Sequence, residues 1–100
     1  MPRYATINFS DGYIDGELET NAPFTVAEIA RAIMTSVDPH EAGMCTFTEI
    51  GLNQHPAMLA GGCDVYQIPD DLDIGDGRDK GTIERVEACR RIGRVEIAGA

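Results

Sequence analysis

Arg3-Tyr4-Ala5-Thr6-Ile7-Asn8-Phe9-Ser10-Asp11-Gly12-Tyr13-Ile14-Asp15-Gly16-Glu17-Leu18-Glu19-Thr20 is the stretch that decides the fold. Residues 3–9 are rich in β-formers, Ser10-Asp11-Gly12 has turn chemistry, and alternation resumes from Tyr13 to Thr20. The stretch therefore predicts two antiparallel strands joined as a hairpin. Gly16 inside the second strand marks a bulge or a close approach by another element. Period-2 geometry then sets Asp15, Glu17 and Glu19 in a row on one strand face, about 6.6–6.8 Å apart, with Ile14, Gly16 and Leu18 turned to the core.

Downstream of the Asn21-Ala22-Pro23 break, Thr25 and Glu28 form a capping-box signal. Val26, Ile29, Ala30, Ile33 and Val37 share one face at helical spacing, with Arg31 on the solvent side. The helix is expected to stop near Val37, because Asp38 precedes Pro39 and the residue before a proline is pushed out of the α region. Alternation over residues 44–50 suits a strand, Asn53-Gln54-His55-Pro56 reads as a turn, and Ala57-Met58-Leu59-Ala60 is too short to assign. A further strand is expected from Cys63 to Ile68, then a polar loop over residues 70–80. A second helix starts with Thr82 as cap, with Ile83, Val86, Cys89 and Ile92 inward and Arg90 and Arg91 at its basic end; Gly93 suits the position just past it. A last strand covers residues 94–98. The chain reads as one small α+β domain over residues 1–100, an antiparallel sheet with two helices in the order β-β-α-β-β-α-β.

Composition agrees with a folded domain. One hundred residues that are 43% apolar and 25% charged can bury one core, and they exclude collagen-like or wholly disordered behaviour. No run approaches the roughly 20 apolar residues that span a bilayer, and Met1-Pro2-Arg3 opens no apolar signal segment, so a soluble, cytoplasmic protein is expected. Cys45, Cys63 and Cys89 contain no C-x-x-C pair and read as buried free thiols.

Charge is the unusual feature. The chain carries a net −9, and residues 1–76 hold thirteen acidic against two basic side chains, whereas residues 77–100 hold four against six. Such a balance argues against a direct grip on nucleic acid or anionic lipid, and for a partner with a basic surface. Besides the strand row, Asp70, Asp71, Asp73, Asp76 and Asp79 form a second acidic group. Both groups have two readings, a solvated surface that keeps the protein dissolved or fixed carboxylates standing in for phosphates, which recur about every 3.4 Å along a DNA strand. The strand row would offer about half that density. Tyr13 and Tyr66, at the borders of the acidic stretches, suit either an aromatic anchor in a polar contact or the core. Arg90, Arg91 and Arg94 suit a helix end or a small positive patch.

Catalytic and metal chemistry find little footing. The run Asp71-Leu72-Asp73-Ile74-Gly75-Asp76-Gly77 resembles the start of an EF-hand loop but departs at three positions: Gly75 at the fifth, Asp76 where the glycine belongs, and Thr82 in place of the bidentate glutamate. His40, Cys45, His55 and Cys63 match no zinc spacing, no phosphate-binding glycine loop or nucleophile motif occurs, and a Cys45–His55 pair has no supporting pattern. A non-enzymatic protein without metal or cofactor is expected.

In its small size, acidity and lack of enzyme signature, and in the groups Asp15, Glu17, Glu19 and Asp70, Asp71, Asp73, Asp76, Asp79, the chain resembles the phage-encoded anti-CRISPR proteins that inactivate the type I-F surveillance complex. That family shares no motif, so no residue is carried over by alignment. The resemblance implies a stoichiometric inhibitor in a bacterial host cell, a DNA mimic occupying a basic channel meant for target DNA. The alternative is a small phage or plasmid accessory or structural interaction protein whose acidity serves solubility.

Overall fold

In the computed structural model, which describes residues 1–55, 59 and 61–99, the opening hairpin forms as its turn chemistry dictates. Strands β1 (Arg3–Asn8) and β2 (Ile14–Glu19) pair antiparallel. Gly12 takes the left-handed conformation (φ 73°), its N–H reaching the Asn8 carbonyl, while the Asp11 carboxylate accepts the Tyr13 N–H.

Thr25 caps helix α1 (Val26–Val37) through a complete capping box. Its hydroxyl accepts the Glu28 N–H and its own N–H reaches the Glu28 carboxylate, each at 3.1 Å, which holds that carboxyl below its ordinary range. Ile29, Ala30 and Ile33 are buried on its inner face, and Arg31 lies outward with its guanidinium 4.9 Å from the Phe47 ring centre. Val37, which the same periodicity turns inward, is instead 61% exposed at the helix end. There Asp38 closes α1 through its N–H to the Met34 carbonyl and opens a five-residue helix, α2 (Pro39–Gly43), by accepting the Glu41 N–H; Pro39 suits the first turn because its missing N–H is not needed there. Five residues are too few for periodicity to reveal, so α2 was not expected.

Strands β3 (Cys45–Ile50) and β4 (Gly62–Ile68) fall where alternation placed them. Between them the Gln54 N–H bonds the Gly51 carbonyl; Pro56, Ala57, Met58 and Ala60 lie outside the described residues. Helix α3 (Lys80–Glu87) is capped by Asp79, whose carboxylate accepts both the Thr82 N–H and the Thr82 hydroxyl, so Thr82 is the residue capped and not the cap. The helix ends before Arg90, and β5 (Arg90–Gly99) is twice the length expected. Arg90, Arg91 and Gly93 are strand residues. Gly93 is needed for packing, since a Cβ there would sit 2.6 Å from Val26 Cγ1.

All pairings are antiparallel in the order β2-β1-β4-β5-β3. This is the α+β single sheet read from the sequence, with a third, short helix added. Both faces are covered. Helix α1 lies on one, over Cys63, Val65 and Val95, with Tyr4, Leu18, Phe47 and Ile97 around them. On the other, α3 and residues 69–79 cover Ala5, Ile7, Ile14, Tyr66 and Ile68, with Leu72, Ile74, Ile83 and Cys89 packed against them and Val86 fully buried. Burying each such aliphatic side chain contributes about 1.5–3 kcal/mol. None of the helices among the described residues is long and apolar enough to cross a membrane.

Candidate acidic docking face and a second cavity

The predicted row of three carboxylates is broken by a bulge. Thr6 pairs with Gly16 but Ile7 pairs with Ile14, leaving Asp15 as the extra residue of β2. The bulge shows in the packing: Ile14 joins the core under α3, whereas Leu18 packs under α1, and a Cβ on Gly16 would meet Ile33 at 3.2 Å. Gly16 thus marks both features its position suggested. Asp15 is turned away from Glu17 and Glu19, half-buried, and accepts a hydrogen bond from the Asn8 side-chain amide at 3.3 Å. Burial raises its pKa, Asn8 pulls it down less, and Asp11 adds a smaller upward push.

Glu17 and Glu19 stay on the face that α3 occupies, opposite Ala5 and Arg3 of β1. Arg3 then does something that the linear sequence does not display. One guanidinium nitrogen binds the Glu17 carboxylate, and the other donates to the carbonyls of Pro69 and Asp70 at 2.8 and 3.0 Å. The segment after β4 is thereby fastened beside β2. It crosses the sheet with Leu72 and Ile74 on the core and Asp71 and Asp73 exposed, and returns to β2 where the Ile14 N–H reaches the Gly77 carbonyl. A Cβ at Gly77 would lie 2.3 Å from the Ile14 carbonyl oxygen, so this closure requires glycine. Arg3 thus sets β2, with exposed Glu17 and Glu19, beside the start of the segment that carries exposed Asp70, Asp71 and Asp73, and these acids together are termed the acidic border.

The remaining acids of the loop have local duties. Asp76 accepts the Arg78 N–H at 2.9 Å, and the Thr82 hydroxyl and N–H hold the Asp79 carboxyl below its ordinary range. Tyr13 is 42% exposed at the hairpin and remains available for contact, whereas Tyr66 is 7% exposed and belongs to the core. Tyr66 is therefore not a surface anchor: its position on β4 opposite Ala5 faces it into the layer under α3.

Two of the basic residues near the C-terminus, Arg91 and Arg94, are engaged by Asp64, while Arg90 is exposed. Arg94 meets Asp64 side-on, Nε to Oδ1 at 2.7 Å and Nη2 to Oδ2 at 3.1 Å, and Arg91 reaches the same carboxylate at 3.4 Å. The remaining Arg94 nitrogen donates to the Gln54 carbonyl, and the guanidinium lies 5.3 Å from the Phe9 ring centre. The available signal was a lone Asp64 and a lone Arg94, each inside an apolar alternating run.

A cavity of about 340 Å³ opens on the α1 face, between the end of that helix and β1, β4 and β5. Thr6, Asn8, Ser10, Asp15 and Asp38 give it polar lining; Ala30, Met34, Val37, Cys63 and Ile97 give it apolar lining. Cys63 is buried there, and desolvation, with Asp15 and Asp64 nearby, pushes its thiol up to about 12. Desolvation also raises Cys45, whose thiol faces Glu41, and the Cys89 thiol donates to the Arg85 carbonyl. Neither raised thiol is disposed to form a nucleophilic thiolate at neutral pH. Among the described residues, no three His, Cys, Asp or Glu side chains gather as a metal site.

Compared with protein-family models, with curated proteins and with solved structures, the chain matches none. The functional reading therefore rests on the two surfaces just described.

Proposed function

We propose that this chain is a non-enzymatic binding protein whose acidic border, Glu17, Glu19, Asp70, Asp71 and Asp73 with Tyr13 at its edge, docks on the basic surface of a nucleic-acid-handling complex. The most concrete form of the proposal is inhibition of a CRISPR RNA-guided surveillance complex by occupation of the channel that receives target DNA. The observation that supports it is the Arg3 clamp, which brings acids from two distant segments onto one border while Leu72 and Ile74 anchor that border to the core. Carboxylates held on a rigid body lose less conformational entropy on binding than carboxylates on a loose loop. A net charge of −9 steers the protein toward cationic channels, where guided effectors hold their nucleic acids.

Asp15 and Tyr66 leave the proposed contact set by burial; Asp76 and Asp79 leave it because their bonds are spent within their own turn and helix cap, whereas Glu17 stays as the acid that Arg3 ties to the segment after β4. The test is a titration of the protein into purified type I-F surveillance complex carrying labelled target DNA. Stoichiometric displacement that weakens as salt rises supports the proposal. Retention of DNA at every ratio and salt concentration overturns it.

A further inference from the structure

Two carboxylates of the sheet, Asp64 on β4 and Asp15 on β2, are treated differently. Asp64 is met by two guanidinium groups, Arg94 and Arg91. Asp15 is met, among the described residues, by one neutral amide at 3.3 Å and by no cation. A desolvated carboxylate without a counter-charge costs free energy, and its pKa rises accordingly. Asp15 also faces a cavity whose volume lies at the small end of ligand pockets, commonly about 300–1,000 Å³.

The lining decides the chemistry of an occupant. Among the described residues it contains no Lys, Arg or His; its titratable groups are Asp15, Asp38 and the Cys63 thiol, which stays neutral. Asp38 already accepts the Glu41 N–H, leaving Asp15 as the inward anion. Ala30, Met34 and Ile97 of the same lining offer only apolar contact. Anionic ligands are repelled, and a purely apolar one leaves Asp15 without a charge partner.

We propose that this cavity is a binding site for a small organic amine, its ammonium group received by Asp15 beside Asn8 and its alkyl body lying against Ala30, Met34 and Ile97. The site lies on the α1 face and does not depend on the acidic border across the sheet.

The test uses n-butylammonium, with n-butanol as its neutral counterpart and butyrate as an anionic one, titrated into the ¹⁵N-labelled protein. Saturable amide shifts at Thr6, Asn8, Ala30 and Cys63 are expected with butylammonium. Butanol should bind at least roughly tenfold more weakly, as loss of a charge-assisted hydrogen bond implies, and butyrate should not bind. Asp15→Asn should weaken butylammonium by a similar factor while leaving the remaining spectrum in place. The comparison of the three probes on the unaltered protein decides the matter even if that variant misfolds. Absence of saturation up to about 50 mM, well above a millimolar affinity, equal binding of butanol, or shifts confined to Glu17, Glu19 and Asp71 would each overturn the proposal.

Discussion

Asp64 on β4 and Arg94 on β5 stand directly opposite each other and close a two-bonded ion pair, 2.7 and 3.1 Å, with both residues less than a tenth exposed. The pair ties the middle of the sheet to the 51–55 loop through the Gln54 carbonyl, and it holds Arg94 above its ordinary range. Removing Asp64 leaves the buried Arg94 guanidinium without a carboxylate, and removing Arg94 leaves Asp64 with the longer, more exposed bond to Arg91. Asp64→Asn or Arg94→Met should therefore cost about 3–5 kcal/mol in urea unfolding, whereas the joint Asp64→Leu/Arg94→Met replacement should recover much of that loss. A joint loss equal to the sum of the two single losses would show that the pair is not coupled.

Val26 of α1 packs against Gly93 of β5 with no room for a Cβ between them. Gly93→Ala places a methyl 2.6 Å from Val26 Cγ1 and should destabilise by about 1–3 kcal/mol. Val26→Ala in the same chain should relieve part of the overpacking, so the double variant should be more stable than the sum of the single losses. Calorimetric melting of the four proteins checks this.

Asp15 should weaken the fold at neutral pH. Its folded-state pKa is raised above the ordinary 3.8, so the folded protein holds that proton more tightly than the unfolded chain does. Its contribution falls as pH rises through the interval between 3.8 and the raised value. Asp15→Asn should raise the melting temperature at pH 7 and should lose that advantage below about pH 4.

Glu28 and Asp79 have the opposite sign. Both carboxyls are held below their ordinary values of 4.5 and 3.8, Glu28 by the backbone and hydroxyl of Thr25 and Asp79 by the hydroxyl and backbone N–H of Thr82. The stability they contribute is present above those values and is lost as pH falls through the lowered folded values. Glu28→Gln and Asp79→Asn should each flatten the acid limb of a stability-against-pH curve and leave its neutral region less altered. Thr25→Ala, which removes the other half of the first cap, should cost about 0.5–2 kcal/mol at any pH.

The alternation in residues 3–20 and the capping box at Thr25 made the sheet and its long helix legible, because each is a local signal with a local cause. The bulge was legible only as a possibility at Gly16. Which way Asp15 turns depends on the Thr6–Gly16 and Ile7–Ile14 register, a relation between two strands. The C-terminal segment was misread because Arg90 and Arg91 suit a helix end on their own, while their role in β5 depends on β4, whose Tyr66 and Gln67 they face. Likewise the two acidic groups were visible as composition, but their union through Arg3 joins residues 3, 17 and 70, a contact no spacing rule encodes.

The acidic border is tested most directly by comparing the native protein with a variant carrying Glu17→Gln, Glu19→Gln, Asp70→Asn, Asp71→Asn and Asp73→Asn in competition with target DNA for the purified surveillance complex. Exposed charge contacts contribute up to about 1 kcal/mol each, so the five together should weaken displacement by more than about tenfold. The far-ultraviolet spectrum should be unchanged. Equal displacement by the native protein and the variant, or displacement by neither, would contradict the assignment of this face as the docking surface.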